Sequence, residues 1–258
     1  MSQEKIVYGV PFSQPVRSVL WLLLIKKMPF ELKLINPGSS SEGGSRHPDY
    51  LKKFPTGTIP SYEEPDSGFF LSESHAILSY LCDKHGWQDF YPVNLEDRAR
   101  VNSYLHLHHR NVREASIGLV APKVRKDLNF SEDFLKTSKA TINKAFIAIE
   151  EGWLSESKFL TGDQVTIADL SAYVEIGQLQ SQFTNIYDFR DLPNINRWLQ
   201  DMQKVEFHDE IHTALFELGD ISREAPSMEV IKNANKKAFL ALKECLSKIA
   251  EYIIYARI

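Results

Sequence analysis

A serine, Ser13, stands where a short apolar strand meets a long apolar helix in the sequence. The helix opens with Pro15, whose missing N–H and fixed φ cost nothing in a first helical turn. A hydroxyl at this junction lies beside the free N–H groups and the positive end of the helix. Such a site is suited to hold and activate an anion, for example a thiolate. The alternative interpretation is a plain N-cap, which is the commoner use of a serine before a helix.

The first 84 residues alternate strand and helix signals. Short apolar runs predict strands, a Ser/Gly-rich stretch at residues 38–44 predicts a loop, and Glu64-Pro65-Asp66-Ser67 predicts a hairpin turn. We predict strands at residues 6–10, 30–35, 59–63 and 68–71, and helices at 15–27, 48–53 and 74–84. This βαβ-α-ββα order is that of a small α/β sandwich, with Ser13 after its first strand.

The remainder of the chain has a different sequence pattern. Beyond a linker that is rich in aromatic and polar residues, no segment clearly predicts a strand. Helical periodicity predicts helices at residues 96–113, 132–154, 166–180, 194–204 and 229–256. The fold class is therefore α/β followed by all-α. We predict an α/β domain at 1–85, a linker at 86–95, and an all-helical domain at 96–258 that includes an extra C-terminal helix.

Composition and charge argue against some classes of function. The 258 residues are 43% hydrophobic and 25% charged, with a formal net charge of -4, so nucleic acid is not an expected partner. The N-terminus lacks the features of a signal peptide, and the longest apolar run, residues 19–25, is too short to span a bilayer. Two distant cysteines, Cys82 and Cys245, fit a reducing compartment. We therefore expect a cytoplasmic protein with no membrane contact.

Four segments resemble the cytosolic glutathione transferase superfamily. They are Ser13-Gln14-Pro15-x-Arg17, Pro55-Thr56-Gly57-Thr58-Ile59-Pro60, Leu71-Ser72-Glu73-Ser74-His75-Ala76-Ile77, and Phe159-Leu160-x-Gly162-Asp163-x-x-Thr166-Ile167-Ala168-Asp169. The first is most similar to the theta class and its bacterial dehalogenase relatives. The last is an N-capping pattern with a structural role. The resemblance spans about residues 5–215 and implies a thioredoxin-like domain followed by a helical bundle.

The resemblance also implies a site for glutathione, as a co-substrate. Ser13 is the catalytic residue that it implies, since the hydroxyl would stabilise the glutathione thiolate. It implies a cis peptide bond before Pro60, which would offer the backbone of Ile59 to a peptide ligand. The residues that it assigns to glutathione binding are Arg46, Thr58, Ile59, Pro60, Glu73 and Ser74. At Ser45, Phe54 and Thr58 the chain departs from residues that are common in the family.

The electrophile would bind between the two domains. Its predicted pocket is lined by Phe12 and by the first long helix of the second domain, with His109, Arg110 and Arg113. Arg113 matches an arginine that theta-class members place near the thiolate and the leaving group; a solvated surface arginine is the alternative. His106 and His109 are one turn apart, but two imidazoles are too few for a site, so no metal is predicted.

Two other residue types, tyrosine and cysteine, serve the thiolate chemistry in other classes of the family. Tyr8 is a competitor to Ser13, because some classes use a tyrosine, but it lies inside the first strand five residues before the serine. Neither cysteine falls at the N-terminal site where the disulfide-exchanging classes place theirs. Cys82 lies late in a predicted helix and is interpreted as a core residue.

The expected function is that of a theta-like glutathione S-transferase acting on small hydrophobic electrophiles: halides, epoxides, peroxides or activated aromatics. The alternative is a non-catalytic ligand-binding or assembly protein of the same fold, and a weaker alternative is a glutathione-dependent dehalogenase. A homodimer is implied by the resemblance alone. The residues after Leu215 match nothing in the family, and the helix predicted at 229–258, within the C-terminal segment 226–258, is expected to cover either the substrate cleft or the outer surface.

Overall fold

A four-stranded mixed sheet organises the first part of the chain. The structure is a computed structural model that describes residues 5–125 and 128–255, with side chains to residue 250. The strands are β1 (Lys5–Gly9), β2 (Phe30–Leu34), β3 (Ser61–Glu64) and β4 (Phe69–Ser72). Their order in the sheet is β2-β1-β3-β4, with β1 parallel to β2 and antiparallel to β3. Each strand lies within two residues of its predicted place.

Three helices pack on this sheet: α1 (Gln14–Ile25), α2 (Pro48–Lys53) and α3 (Ser74–His85). Helix α1 is apolar on almost every side, and the residues from Val16 to Leu24 are all buried. A helix that is buried all round must contact a second layer beyond the sheet. Here that layer is α7 of the helical part, so α1 joins the two halves of the molecule.

Helices make up the described chain from Leu95 onward. They are α4 (Leu95–His108), α5 (Ala121–Val124), α6 (Glu132–Ala148), α7 (Ile167–Ile176), α8 (Pro193–Met202), α9 (His208–Leu218) and α10 (Met228–Tyr255). A π-helical turn, Ala115–Val120, leads into α5, and another, Ile149–Trp153, extends α6. None of the described helices is long and apolar enough to cross a membrane. The α/β and all-α division is confirmed, whereas the boundaries at residues 85 and 95 stay a prediction.

One predicted helix was wrong in its length. The sequence predicts a single helix over 96–113, but α4 ends at His108. The side chain of Asn111 donates to the carbonyl of Leu107 (2.9 Å), and the Arg113 N–H bonds to His108 instead of His109. A side chain that takes a helical carbonyl competes with the helix ladder. The prediction also missed α9, whose sequence mixes buried histidines with acidic residues.

The predicted capping pattern before α7 is confirmed. Thr166 and Asp169 form a capping box, and Asp169 is fully buried. The Asp169 carboxylate also accepts from the Leu160 N–H (2.9 Å) and from the Trp198 ring N–H (3.0 Å). It therefore joins the loop before α7 to α8 as well as starting α7.

We expect Asp169→Ala to lower the free energy of unfolding by about 3 kcal/mol or more, because buried N–H donors would lose a charged acceptor. Urea unfolding followed by circular dichroism measures this. The control is Asp163→Ala, at an exposed position of the same loop, which should stay within about 0.5 kcal/mol of the wild type. Equal stability of the two variants would contradict the structural role of Asp169.

Candidate active site

The register of the sheet brings three loops to one edge. Ser61, at the start of β3, pairs with Tyr8 on one side and with Ser72 on the other. The end of β1, the start of β3 and the end of β4 are therefore neighbours, about 5 Å apart from strand to strand. The segments attached there are the ones that carry Ser13, Pro60 and Ser74.

Ser13 occupies the N-cap position of α1, but its hydroxyl makes no capping hydrogen bond. Its backbone N–H bonds to the carbonyl of Val10 (3.0 Å), which closes a tight turn through Pro11 and Phe12. Its own carbonyl accepts from the Arg17 N–H and so begins the helix. The hydroxyl therefore lies beside the positive end of α1 and, unlike that of a typical serine cap, does not accept a hydrogen bond from a backbone N–H of the helix.

The peptide bond between Ile59 and Pro60 is cis, as the resemblance implied. The carbonyl of Thr58 is held from behind by the hydroxyls of Tyr50 (2.7 Å) and Ser61 (3.2 Å). No backbone hydrogen bond joins Ile59 to another residue in the described parts of the chain. Its N–H and C=O can therefore pair with an extended peptide at this edge.

Glu73 adopts a backbone conformation that is rare for a residue with a side chain, with φ of 75°. It is exposed and stands at the N-cap of α3, and the first helical residue is Ser74, which is buried. Residues held in this region cluster at ligand sites, because the surrounding structure must impose the strain. The N–H groups of the first turn of α3 face the same sheet edge as Ser13.

Arg46 follows the Ser/Gly-rich loop and reaches the segment before Pro60. A Cβ placed on Gly57 would lie 2.9 Å from an Arg46 Nη and 2.9 Å from the carbonyl oxygen of Ser45; this backbone contact and the φ of 62° favour glycine here. The Arg46 side chain is exposed, and the structure gives it no ion pair with any other described residue. Its charge is available beside Thr58, which is also exposed.

Two departures from the family pattern serve the fold. Ser45 is fully buried, and its hydroxyl accepts from the Gly38 N–H (2.9 Å), which closes the loop before Arg46. Phe54 is buried in a small cluster with Tyr8 and Tyr50. Neither side chain is placed to offer a polar group to a ligand.

The backbone of Tyr8 pairs with Ser61 at this edge, but its side chain packs in that cluster. Its hydroxyl donates to the carboxylate of Glu63, which Lys53 also contacts (2.7 Å). Burial, followed by this hydrogen bond, raises the pKa of Tyr8 well above its ordinary value. A phenol that donates its proton to a carboxylate is not free to donate it to a thiolate.

A buried arginine fixes the turn that carries Ser13. Arg17 is 0% exposed, and its guanidinium donates to the carbonyls of Phe12 (2.6 Å) and of Val174 in α7 (3.0 Å). Burial lowers the pKa of Arg17 to about 10, while the charge of Glu175 opposes that shift. The sequence signal for this residue is a single charge inside an otherwise apolar helix.

Arg113 belongs to the same buried network of hydrogen bonds and ion pairs. It lies beyond the end of α4 and pairs with Glu175, which is 1% exposed and also accepts from the hydroxyl of Ser116. Gln178 donates to Ser116 (2.7 Å) and accepts from Gln14, the residue after Ser13 (2.7 Å). Arg113 therefore lies outside α4, although the sequence predicted a helix there, and its side chain remains 30% exposed.

The other predicted pocket residues of the second domain lie at the end of α4. The ring of exposed His109 contacts the ring of His75, the residue after Ser74, with centroids 4.6 Å apart. The second neighbour of His75 is His108, at 4.8 Å. Arg110 is exposed. Within the described residues, no group of three or more potential metal ligands is found.

His75 should make stability depend on pH. Burial, with a smaller contribution from His109, lowers the pKa of His75 to about 3, whereas an unfolded histidine titrates near 6.5. The unfolded state then binds one more proton between these values, so stability falls as the pH is lowered from about 6.5 toward 3. We expect His75→Leu to reduce this slope by up to about 1.4 kcal/mol per pH unit.

Urea unfolding at several values between pH 4.5 and pH 6.5 measures that slope. His106→Leu is the matched control, since His106 is an exposed residue of α4 outside the cluster, and this variant should keep the wild-type slope. An unchanged slope in His75→Leu would show that His75 is protonated equally in both states.

One contact to the site was missed entirely by sequence reasoning. Asn235, in α10, accepts a hydrogen bond from the backbone N–H of Phe12 (2.9 Å). Helix α10 otherwise packs along α9. Two surface cavities of about 470 and 550 Å³ lie on the helical part, and no predicted site residue lines either one.

Comparison with known proteins agrees with this geometry. The sequence family described as the glutathione S-transferase N-terminal domain matches residues 7–89, and the corresponding C-terminal domain matches residues 114–205. Glutathione S-transferase T2 of Arabidopsis thaliana is 32% identical over 237 residues, covering 83% of this chain and 37% of the relative. Glutathione S-transferase theta-1 of Homo sapiens is 27% identical over 227 residues, covering 84% and 91%.

The structural comparison gives the same result. The apo form of human glutathione-S-transferase T1-1 has a TM-score of 0.71 at 25% identity, covering 92% of this chain and 99% of that one. A thioredoxin-like domain followed by a helical bundle is the architecture of the glutathione-transferase fold. The chain belongs to the glutathione S-transferase family. It spans 37% of the length of the T2 and T3 relatives from Arabidopsis.

Proposed function

We propose that the protein is a theta-like glutathione S-transferase in which Ser13 stabilises the thiolate of bound glutathione for attack on a small electrophile. The observation that carries this proposal is the Ser13 hydroxyl, which stands at the start of α1 without capping it. The cis bond before Pro60 and the start of α3 lie at the same sheet edge.

The energies required are within reach of this geometry. A thiol with a pKa of about 8.5 is only a few per cent ionised at neutral pH, and lowering that pKa by two units requires about 2.7 kcal/mol. A hydrogen bond to a charged group contributes about 1.5–3 kcal/mol. The positive end of a helix adds about 0.3–1 kcal/mol. Ser13 and α1 together are sufficient.

The rest of the tripeptide would bind along the sheet edge. Ile59 would pair through its backbone with the cysteinyl residue, and Pro60 holds that backbone in place. The N–H groups at Ser74 and the carboxylate of Glu73 suit the γ-glutamyl end, which carries both charges. Arg46, with Thr58 beside it, suits the glycyl carboxylate, because a guanidinium fork can grip a carboxylate in two places.

The electrophile would enter between Phe12 and the end of α4. Phe12 packs against the main core and offers an apolar wall. His109 and Arg110 are exposed just beyond the end of α4, where a cation would favour departure of an anionic leaving group. Arg113 would contribute to the same field through its partly exposed side chain. Halides, epoxides, peroxides and activated aromatics fit this chemistry, and a glutathione-dependent dehalogenase is its narrower form.

A titration of bound glutathione by thiolate absorbance near 240 nm tests the proposal. We expect a thiol pKa well below 8.5 in the wild type and a return toward 8.5 in Ser13→Ala, because the hydroxyl that favours the anion is gone. The value of kcat/KM with a model electrophile should fall by about 10- to 100-fold. Tyr8→Phe is the matched control, since it also removes a single hydroxyl, and it should leave the thiol pKa unchanged.

The non-catalytic alternative gives a different result. The buried Ser45 and Phe54 deprive the site of polar groups that the family commonly has there. Binding of glutathione with an ordinary thiol pKa in both the wild type and Ser13→Ala would favour a ligand-binding or assembly protein. No binding at all would refute the transferase and mean that the altered region at residues 45–58 has abolished the glutathione site.

A second experiment tests the assignment of Arg46. We expect Arg46→Ala to weaken glutathione binding by roughly tenfold, since an exposed charged hydrogen bond would be lost. The thiol pKa of the bound peptide should stay low, because Ser13 is untouched. Isothermal titration calorimetry measures the affinity, and Lys52→Ala, an exposed lysine on α2, is the control. Equal affinities would remove Arg46 from the site.

We also propose a cytoplasmic location, a domain division at residues 85–95 and a homodimer. The two cysteines are free and buried, which suits a reducing compartment. The domain division is supported by the change from strands to helices in the described residues. The dimer rests on family membership.

A further inference from the structure

Helix α10 lies on α9 through an apolar stripe. Its buried residues recur three or four positions apart, as one helix face requires. They are Ala234, Ala238, Leu242, Cys245 and Ile249. Asn235 stands at the edge of this stripe, four residues after Ile231 and three before Ala238, and it is only partly exposed.

Both ends of the Asn235 amide are engaged. Its oxygen accepts from the Phe12 N–H (2.9 Å), and its nitrogen donates to the carbonyl of Ile231 one turn earlier in α10 (3.1 Å). The donor at the second contact fixes which end of the amide faces Phe12. The oxygen is therefore held toward the turn before α1.

Phe12 directly precedes Ser13, and both its backbone N–H and its carbonyl are hydrogen-bonded. Its N–H is held by Asn235, and its carbonyl accepts from the buried Arg17 (2.6 Å). The surrounding turn is closed by a single further bond, from the Ser13 N–H to Val10. The N–H of Phe12 points away from that turn, so its partner has to come from elsewhere in the fold.

We propose that Asn235 is a positioning residue for Ser13. Its bond to Phe12 fixes the turn that aims the Ser13 hydroxyl, so the C-terminal helix contributes to thiolate stabilisation without touching glutathione. This inference rests on the proposed function of Ser13 and extends it to a residue that lies 223 positions beyond Phe12 in the sequence.

The test compares Asn235→Ala and Asn235→Leu with the control Asn233→Ala, at an exposed position of the same helix. The leucine variant keeps the volume of the side chain and lacks the acceptor, so it covers the case in which alanine loosens α10. Urea unfolding establishes that each protein is folded. The readouts are the thiol pKa of bound glutathione, its dissociation constant, and hydrogen exchange at the Phe12 amide.

We expect the Asn235 variants to raise the thiol pKa by roughly half a unit, which lowers the ratio of thiolate to thiol about threefold. Glutathione affinity at low pH should change less than twofold, and the Phe12 amide should exchange faster. In a Ser13→Ala background the Asn235 substitutions should have no further effect on the thiol pKa, because residues that act through one group are not additive.

Two results overturn the inference. One is a folded Asn235 variant whose Phe12 amide exchanges faster while the thiol pKa stays at the wild-type value, with Ser13→Ala still raising it; the proposed function then stands without this residue. The other is an additive effect of Asn235 in the Ser13→Ala background, which would mean that α10 acts on the thiolate directly. If Ser13→Ala itself leaves the thiol pKa unchanged, the proposed function fails first.

Discussion

The guanidinium of Arg17 is completely buried, and the two carbonyls that it bonds belong to different halves of the chain. A buried charge is tolerated only when it is paired and hydrogen-bonded. The carboxylate of Glu175 supplies the opposing charge, and Val174 supplies a carbonyl, both from α7. This charge lies on α1. The helix can therefore pack stably on the sheet only when the helical half of the chain packs on α1 and compensates the charge.

Because α1 must pack between the sheet and the helical half, the candidate site has one side from each half of the chain. Main-chain groups supply the side expected to bind the tripeptide: the turn before α1, the segment before Pro60 and the first turn of α3, all set by the pairing of Ser61 with its neighbours. The opposite side is proposed to consist of side chains of the helical half, such as His109 and Arg110. The first side is determined by hydrogen bonds common to any chain, whereas the proposed second side depends on individual residues.

The sequence predicted the local features of this arrangement and missed the distant ones. Strand positions, the capping box at Thr166, the role of Cys82 as a buried residue and the place of Ser13 follow from short patterns or from the family resemblance. The burial of Arg17, the pairing of Arg113 with Glu175 and the break in α4 at Asn111 depend on partners far away in the chain or on a side chain that competes with the backbone. Nothing in the local sequence connects Phe12 with Asn235.

The bond between Phe12 and Asn235 has a consequence for biosynthesis. A polypeptide is made from its N-terminus, and long-range contacts are closed late because the intervening chain must be ordered first. The turn beside Ser13 is therefore synthesised 223 residues before its partner in α10. A nascent chain would carry a folded sheet before it carries a completed turn, so the hydrogen bond to Phe12 forms only after α10 has left the ribosome.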